Sequence, residues 1–244
     1  MNDIHFDKKL IAVVLVLGLM SLACNALATT RTNEMRTDTQ TIEMNSASSA
    51  RVQIEIGAGE LNVQGGANSL MDATFRYNVD EWKPRVDYSE SGDQGQLSVT
   101  QQGEKVPVGS QLINTWDIRL SNDIPMDLAI HTGAGQSELF LGGMNLADLE
   151  VRTGAGTTQL DLSGAWQQDA HASIEGGVGE LIVKLPSQTG VRVNMDTALV
   201  SVTTRGLDKD GGYYVNAAYG NSEHTLNLDV TAGVGSVRLE VAQP

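Results

Sequence analysis

Few residues in this chain have the type and spacing to do chemistry. Beyond His5, the histidines are His131, His171 and His224, far apart and in no metal-ligand spacing such as H-E-x-x-H. No G-x-S-x-G phrase singles out a serine nucleophile. Asp208-Lys209-Asp210-Gly211-Gly212 has the opening of a calcium loop but lacks the third early ligand and the distal glutamate, so a polar turn between strands accounts for it. Tyr213, Tyr214 and Tyr219 follow closely, as an aromatic rim or as the packing of a long loop. Asp161, Glu175 and Glu180 could supply the carboxylate pair of a glycan-active enzyme, yet no spacing marks a pair. Cys24 is the only cysteine, at the end of an apolar run, and its candidate chemistry is lipidation. No catalytic residue, metal site or cofactor is expected.

What does recur is a phrase for architecture. Gly57-Ala58-Gly59, Gly133-Ala134-Gly135, Gly154-Ala155-Gly156, Gly177-Val178-Gly179 and Gly233-Val234-Gly235 each follow an apolar β-type residue by three positions: Ile54, Ile130, Val151, Ile174 and Val230. An alternating apolar segment comes after each. Copies two to four start 21 and then 23 residues apart, a spacing that signals stacked strand units and not a pocket. The phrases lack the third glycine of G-x-G-x-x-G and lead into strands, so they offer no helix N-terminus to a phosphate. We read them as structural turns, hairpin-like reversals needing φ > 0 and close backbone approach, with the middle Ala or Val pointing inward.

These units must be carried by a β scaffold. Residues 29–50 are rich in Thr, Ser and Asn without periodicity and read as a flexible tether. Residues 51–124 read as an antiparallel N-terminal unit capping the stack, with strands over Met71–Val79, Arg85–Tyr88, Gln96–Thr100 and Trp116–Leu120. Residues 125–244 read as a β-solenoid, including separate strands VRVNM and SVTTR. If the units stack in sequence, Ile130, Val151 and Ile174 form one buried ladder. Glu55, His131, Arg152, Glu175 and Thr231 then form an exposed one, with Arg152 beside Glu175.

Residues 1–28 read as an export signal: Lys8 and Lys9 precede a charge-free run, Leu10–Ala23, of 14 residues, short of the roughly 20 that span a bilayer. Ser21-Leu22-Ala23-Cys24 resembles a bacterial lipobox, and Ala26-Leu27-Ala28 fits an ordinary cleavage site; both routes stay open. The net charge of −14 is unchanged once residues 1–23 are removed, and an acidic body of that kind repels nucleic acid and anionic lipid. Membrane contact is therefore expected only through a lipid on Cys24.

The ordered series IEIGAGELNVQGG, Tyr77-Asn78 with Trp82-Lys83-Pro84 and Val86, NTWDIRLSNDIPMDLAIHTGAG, Leu185-Pro186 before Gly190-Val191, and GVGSVRLEV resembles the toast-rack family of bacterial envelope proteins. That family is related to the C-terminal domain of LiaF-type regulators of cell-wall stress responses. The resemblance implies a stacked β architecture outside the cytoplasmic membrane and a non-catalytic role, with an envelope protein or glycan as partner. An adhesin-like surface protein is the alternative.

Overall fold

Six long strands carry the architecture. They are β2 (Ser49–Ala67), β7 (Met126–Phe140), β8 (Leu146–Asp161), β9 (Ala170–Leu185), β13 (Thr225–Val241) and β10 (Gly190–Arg205). They lie side by side in that order, each parallel to its neighbours. The computed structural model describes residues 34–103 and 111–243; the segment read as an export signal, with Cys24, lies outside them. Leu, Val and Ile at alternate positions suit a pleated, half-buried surface, and the shared register turns them into ladders. Ile54, Ile130, Val151, Ile174 and Val230 are consecutive partners, none more than 1% exposed. Full burial of such a side chain is worth about 1.5–3 kcal/mol.

The glycine phrases do not turn the chain back, contrary to the reversal the sequence predicts. Each lies inside one continuous strand. Along β8, Leu149 and Val151 are buried before the phrase, Thr158 and Leu160 after it, so the alternation inverts across the glycines. Both halves feed one hydrophobic cluster. The strand therefore bends around the core, and the sheet becomes two layers joined at a corner. The middle residues sit on the outside of that bend: Val178 is 58% and Val234 48% exposed, which corrects the inward orientation expected of them.

Four further expectations fail. The strands do not stack in chain order, because β13 inserts between β9 and β10. VRVNM and SVTTR are one strand, β10, with no glycine pair to mark its middle. At the other end, β2 is itself a full member of the stack and not part of a separate antiparallel unit. Its first half pairs in parallel with β5 (Gln94–Gln101), which pairs antiparallel with β4 (Pro84–Ser91). Its second half pairs in parallel with β6 (Asn114–Ser121), followed antiparallel by β3 (Met71–Tyr77) and β1 (Arg36–Ile42). Strand β1 lies within the segment read as a tether. Its Thr-rich sequence has no apolar period to betray it, yet the backbone pairs with β3 from Arg36↔Tyr77 to Ile42↔Met71. At the far end, the hairpin of β11 (Asp208–Asp210) and β12 (Tyr213–Val215) extends only the first half of β10.

Tyr77 ties β3 to β1 through its hydroxyl, which donates to Asp38 Oδ2 at 2.8 Å. Burial, with the Asp38 carboxylate beside it, pushes the phenol up to about 12. The unfolded phenol loses its proton near pH 10 while the folded one keeps it, so the raised value contributes stability below pH 10 that is lost between pH 10 and 12. A pH series of urea unfolding should show stability falling over that window, by less in Tyr77→Phe. An identical fall in that variant would remove Tyr77 as its cause.

Candidate functional site

The corner has a physical requirement that only glycine meets. Gly59, Gly135, Gly156, Gly179 and Gly235 have φ from +132° to +143°, a region L side chains rarely enter. A Cβ on Gly156 would lie 1.9 Å from the carbonyl oxygen of Gly135, and one on Gly154 2.3 Å from that of Gly133. Each corner thus rests directly on the backbone of the strand before it. At the β2 end the corner falls where β5 stops and β6 begins: the Asn114 carbonyl lies under Gly59, and side chains hold the rest. Gln101 Oε1 accepts from Gly57 N–H at 3.0 Å, and Asn114 Nδ2 donates to Ala58 O at 2.6 Å and to Gln101 Oε1 at 2.9 Å. Asn114 Oδ1 in turn accepts from Trp116 Nε1 at 3.0 Å.

A groove of about 800 Å³ crosses β2, β7, β8, β9 and β13, lined by Gly57, Gly133, Gly154, Gly177 and Gly233. One wall is the exposed ladder, whose partners are in the predicted register: Glu55↔His131↔Arg152↔Glu175↔Thr231. Its charges are joined. His131 Nδ1 lies 3.4 Å from Glu55, and His131 Nε2 lies 2.6 Å from Glu150 Oε1. Arg152 reaches the same Glu150 oxygen at 2.7 Å and Glu175 at 3.1 Å. Sequence reasoning missed Glu150. It stands two residues before Arg152, and period-two alternation puts both on one face, which was the available signal.

This wall presents three carboxylates against one guanidinium and one imidazole, each already engaged with a neighbour. That arrangement can orient a polar ligand laid across the strands. The carboxylates named from sequence are not gathered here: Glu175 precedes its corner, Glu180 follows it, and Asp161 pairs in register with Lys184. Burial raises the Asp161 carboxyl. The hydroxyl and N–H of Ser163, with Lys184 Nζ at 3.0 Å, outweigh that and hold it below the usual range. Asp208 and Asp210 sit in the β11–β12 hairpin, and no cluster of three metal-ligating side chains occurs among the described residues.

The Arg152–Glu175 pair is half exposed on both sides, at 50% and 52%. A double-mutant cycle with Arg152→Ala and Glu175→Ala should return a coupling below about 1 kcal/mol. A coupling of several kcal/mol would instead make the wall a structural brace.

Beside the wall, Val178, Val234 and Leu199 are consecutive partners on β9, β13 and β10. They form an apolar crest, with Leu199 76% exposed.

No helix among the described residues is long and apolar enough to cross a membrane. A comparison with curated proteins finds no match. Among solved structures, a candidate cell adhesion protein from Clostridium sporogenes superposes with a TM-score of 0.82 at 30% identity, over 86% of this chain and all of that one. Candidate adhesins from Bacteroides fragilis and Parabacteroides merdae align over 84% and 86% of this chain and 97% and 96% of theirs. Their identities are 9% and 10% and their TM-scores 0.33 and 0.24, too low to bear on the argument. Residues 31–184 match the N-terminal domain of toast-rack (DUF2154), a span ending at the close of β9, while β10 to β13 complete the same sheet. With the repeated glycine corner, that match and the Clostridium relative agree: the chain belongs to the toast-rack family.

Proposed function

We propose that this protein is a non-enzymatic interaction module of the bacterial cell envelope, exported and either tethered through Cys24 or released by cleavage after Ala28. It holds a partner along the glycine corner. The observation that carries this reading is the continuous groove across five strands, with a charged wall along it and an apolar crest beside its β9–β13 end. An interaction surface combines apolar and polar contacts, and this corner offers both. The name of the Clostridium relative, a candidate cell adhesion protein, supports the adhesin-like form of the reading, with a surface protein or glycan as the partner. The LiaF resemblance supports the form in which the partner is an envelope stress regulator.

Photo-crosslinking in intact cells tests the surface. A photoreactive residue at Val178, on the crest, should yield a discrete adduct identified by mass spectrometry. The same residue at Arg119, exposed on β6 away from the corner, should yield none. Equal labelling from both positions, or from neither, would remove the corner as the contact surface.

A further inference from the structure

A second recess lies on the outer face of the first strand halves, away from the glycine corner. It has a volume of about 580 Å³, within the range of small-molecule sites, and is overhung by the β11–β12 hairpin. The residues that shape it come from four strands and one loop: Asp169, His171, Arg192, Asn194, Tyr213 and Asp229. Tyr213 is 39% exposed, and one face of its ring is covered. The Arg192 guanidinium sits 4.6 Å from the ring centroid. Beside it, Asn194 Nδ2 donates to Asp229 Oδ1 at 3.0 Å, and His171 Nε2 stands 3.7 Å from Asp229 Oδ2. Asp169 Oδ1 accepts from the Thr225 N–H at 2.8 Å and keeps a second oxygen.

The chemistry of this set selects a ligand class. A sugar ring has a face of C–H groups that packs on an aromatic ring, and adjacent hydroxyls that both donate and accept. The recess supplies that pairing: one amphipathic ring beside planar amide, carboxylate, guanidinium and imidazole groups. Phosphate and other anions are opposed by Asp169, Asp229 and the acidic body. A purely apolar ligand would leave the carboxylates unmatched.

We propose that this recess is a saccharide subsite for an uncharged hexose or N-acetylhexosamine unit of a glycan, with the face of Tyr213 opposite Arg192 as the stacking platform and Asp229, held by Asn194, as the hydroxyl acceptor. It stands apart from the glycine corner, and neither site needs the other.

Saturation-transfer NMR on purified residues 29–244, followed by amide-shift titration, tests it. The probes are the methyl glycosides of glucose, N-acetylglucosamine and glucuronic acid, with tri-lysine as a cationic peptide. Transfer to glucoside or N-acetylglucosaminide is expected, with weaker or no transfer to glucuronide and tri-lysine. Tyr213→Ala should weaken sugar binding by about tenfold or more, Asp229→Asn by about fivefold, and Tyr213→Phe should leave it nearly unchanged. Both altered residues are exposed, and thermal melts of the variants confirm an intact fold. No transfer to either uncharged sugar, binding of tri-lysine alone, or sugar binding indifferent to Tyr213→Ala would each overturn the proposal. Crosslinking at Val178 reads the corner separately, so failure of one site is distinguishable from failure of the other.

Discussion

Replacing Gly156 by alanine is expected to destabilise the protein by at least about 3 kcal/mol, a large effect for one methyl group. Two independent penalties combine. At φ +132° an L side chain is strained, and the new Cβ would stand 1.9 Å from the Gly135 carbonyl oxygen. That oxygen belongs to the neighbouring backbone, which cannot swing aside as a flexible side chain could. Moving β7 away to make room would break the parallel ladder on both sides of the corner. Gly212→Ala is the matched control, since it has no positive φ and nothing within 4 Å of a new Cβ, and should stay within about 0.5 kcal/mol of wild type. Urea unfolding of the two variants decides the matter. Equal midpoints would show that the corner glycines are not sterically required.

A second large loss, more than about 4 kcal/mol, is expected for Val151→Asp. Val151 is 0% exposed at the centre of the ladder between Ile130 and Ile174. A carboxylate there has no cation to meet, so it either stays charged without water or takes up a proton at the expense of folding. The adjacent Arg152→Ala, facing solvent, should change stability by about 1 kcal/mol or less. Soluble yield and chemical unfolding compare them directly, and a native-like midpoint for Val151→Asp would contradict the ladder.

Much of the stack was legible because side-chain period and glycine spacing are local signals. Ile54, Ile130, Val151, Ile174 and Val230 could be aligned by counting back from each phrase, and their register follows from that count. The Arg152–Glu175 contact was legible for the same reason. The direction of the chain through Gly-x-Gly was not. A reversal and a bend both call for φ > 0 and close backbone approach, and only the inverted burial on either side of the corner separates them. Strand β1 was hidden because Arg36–Ile42 is polar on both faces and owes its place to backbone pairing. The recess beneath Tyr213 escaped for a different reason. Asp169, His171, Arg192 and Asp229 are brought together by sheet order, which composition and spacing do not encode.

The insertion of β13 between β9 and β10 has a consequence for how the protein is made. A chain leaving the ribosome or an export channel presents β2, β7, β8 and β9 in the order in which they pair, so each can add to a growing template. Strand β10 comes next but has no seat there, because its long partner is β13, which follows it in sequence. It must wait with its β11–β12 hairpin until Thr225–Val241 arrives and docks on β9. The later-emerging β13 is therefore the keystone, and a nascent chain short of it holds β10 still unplaced.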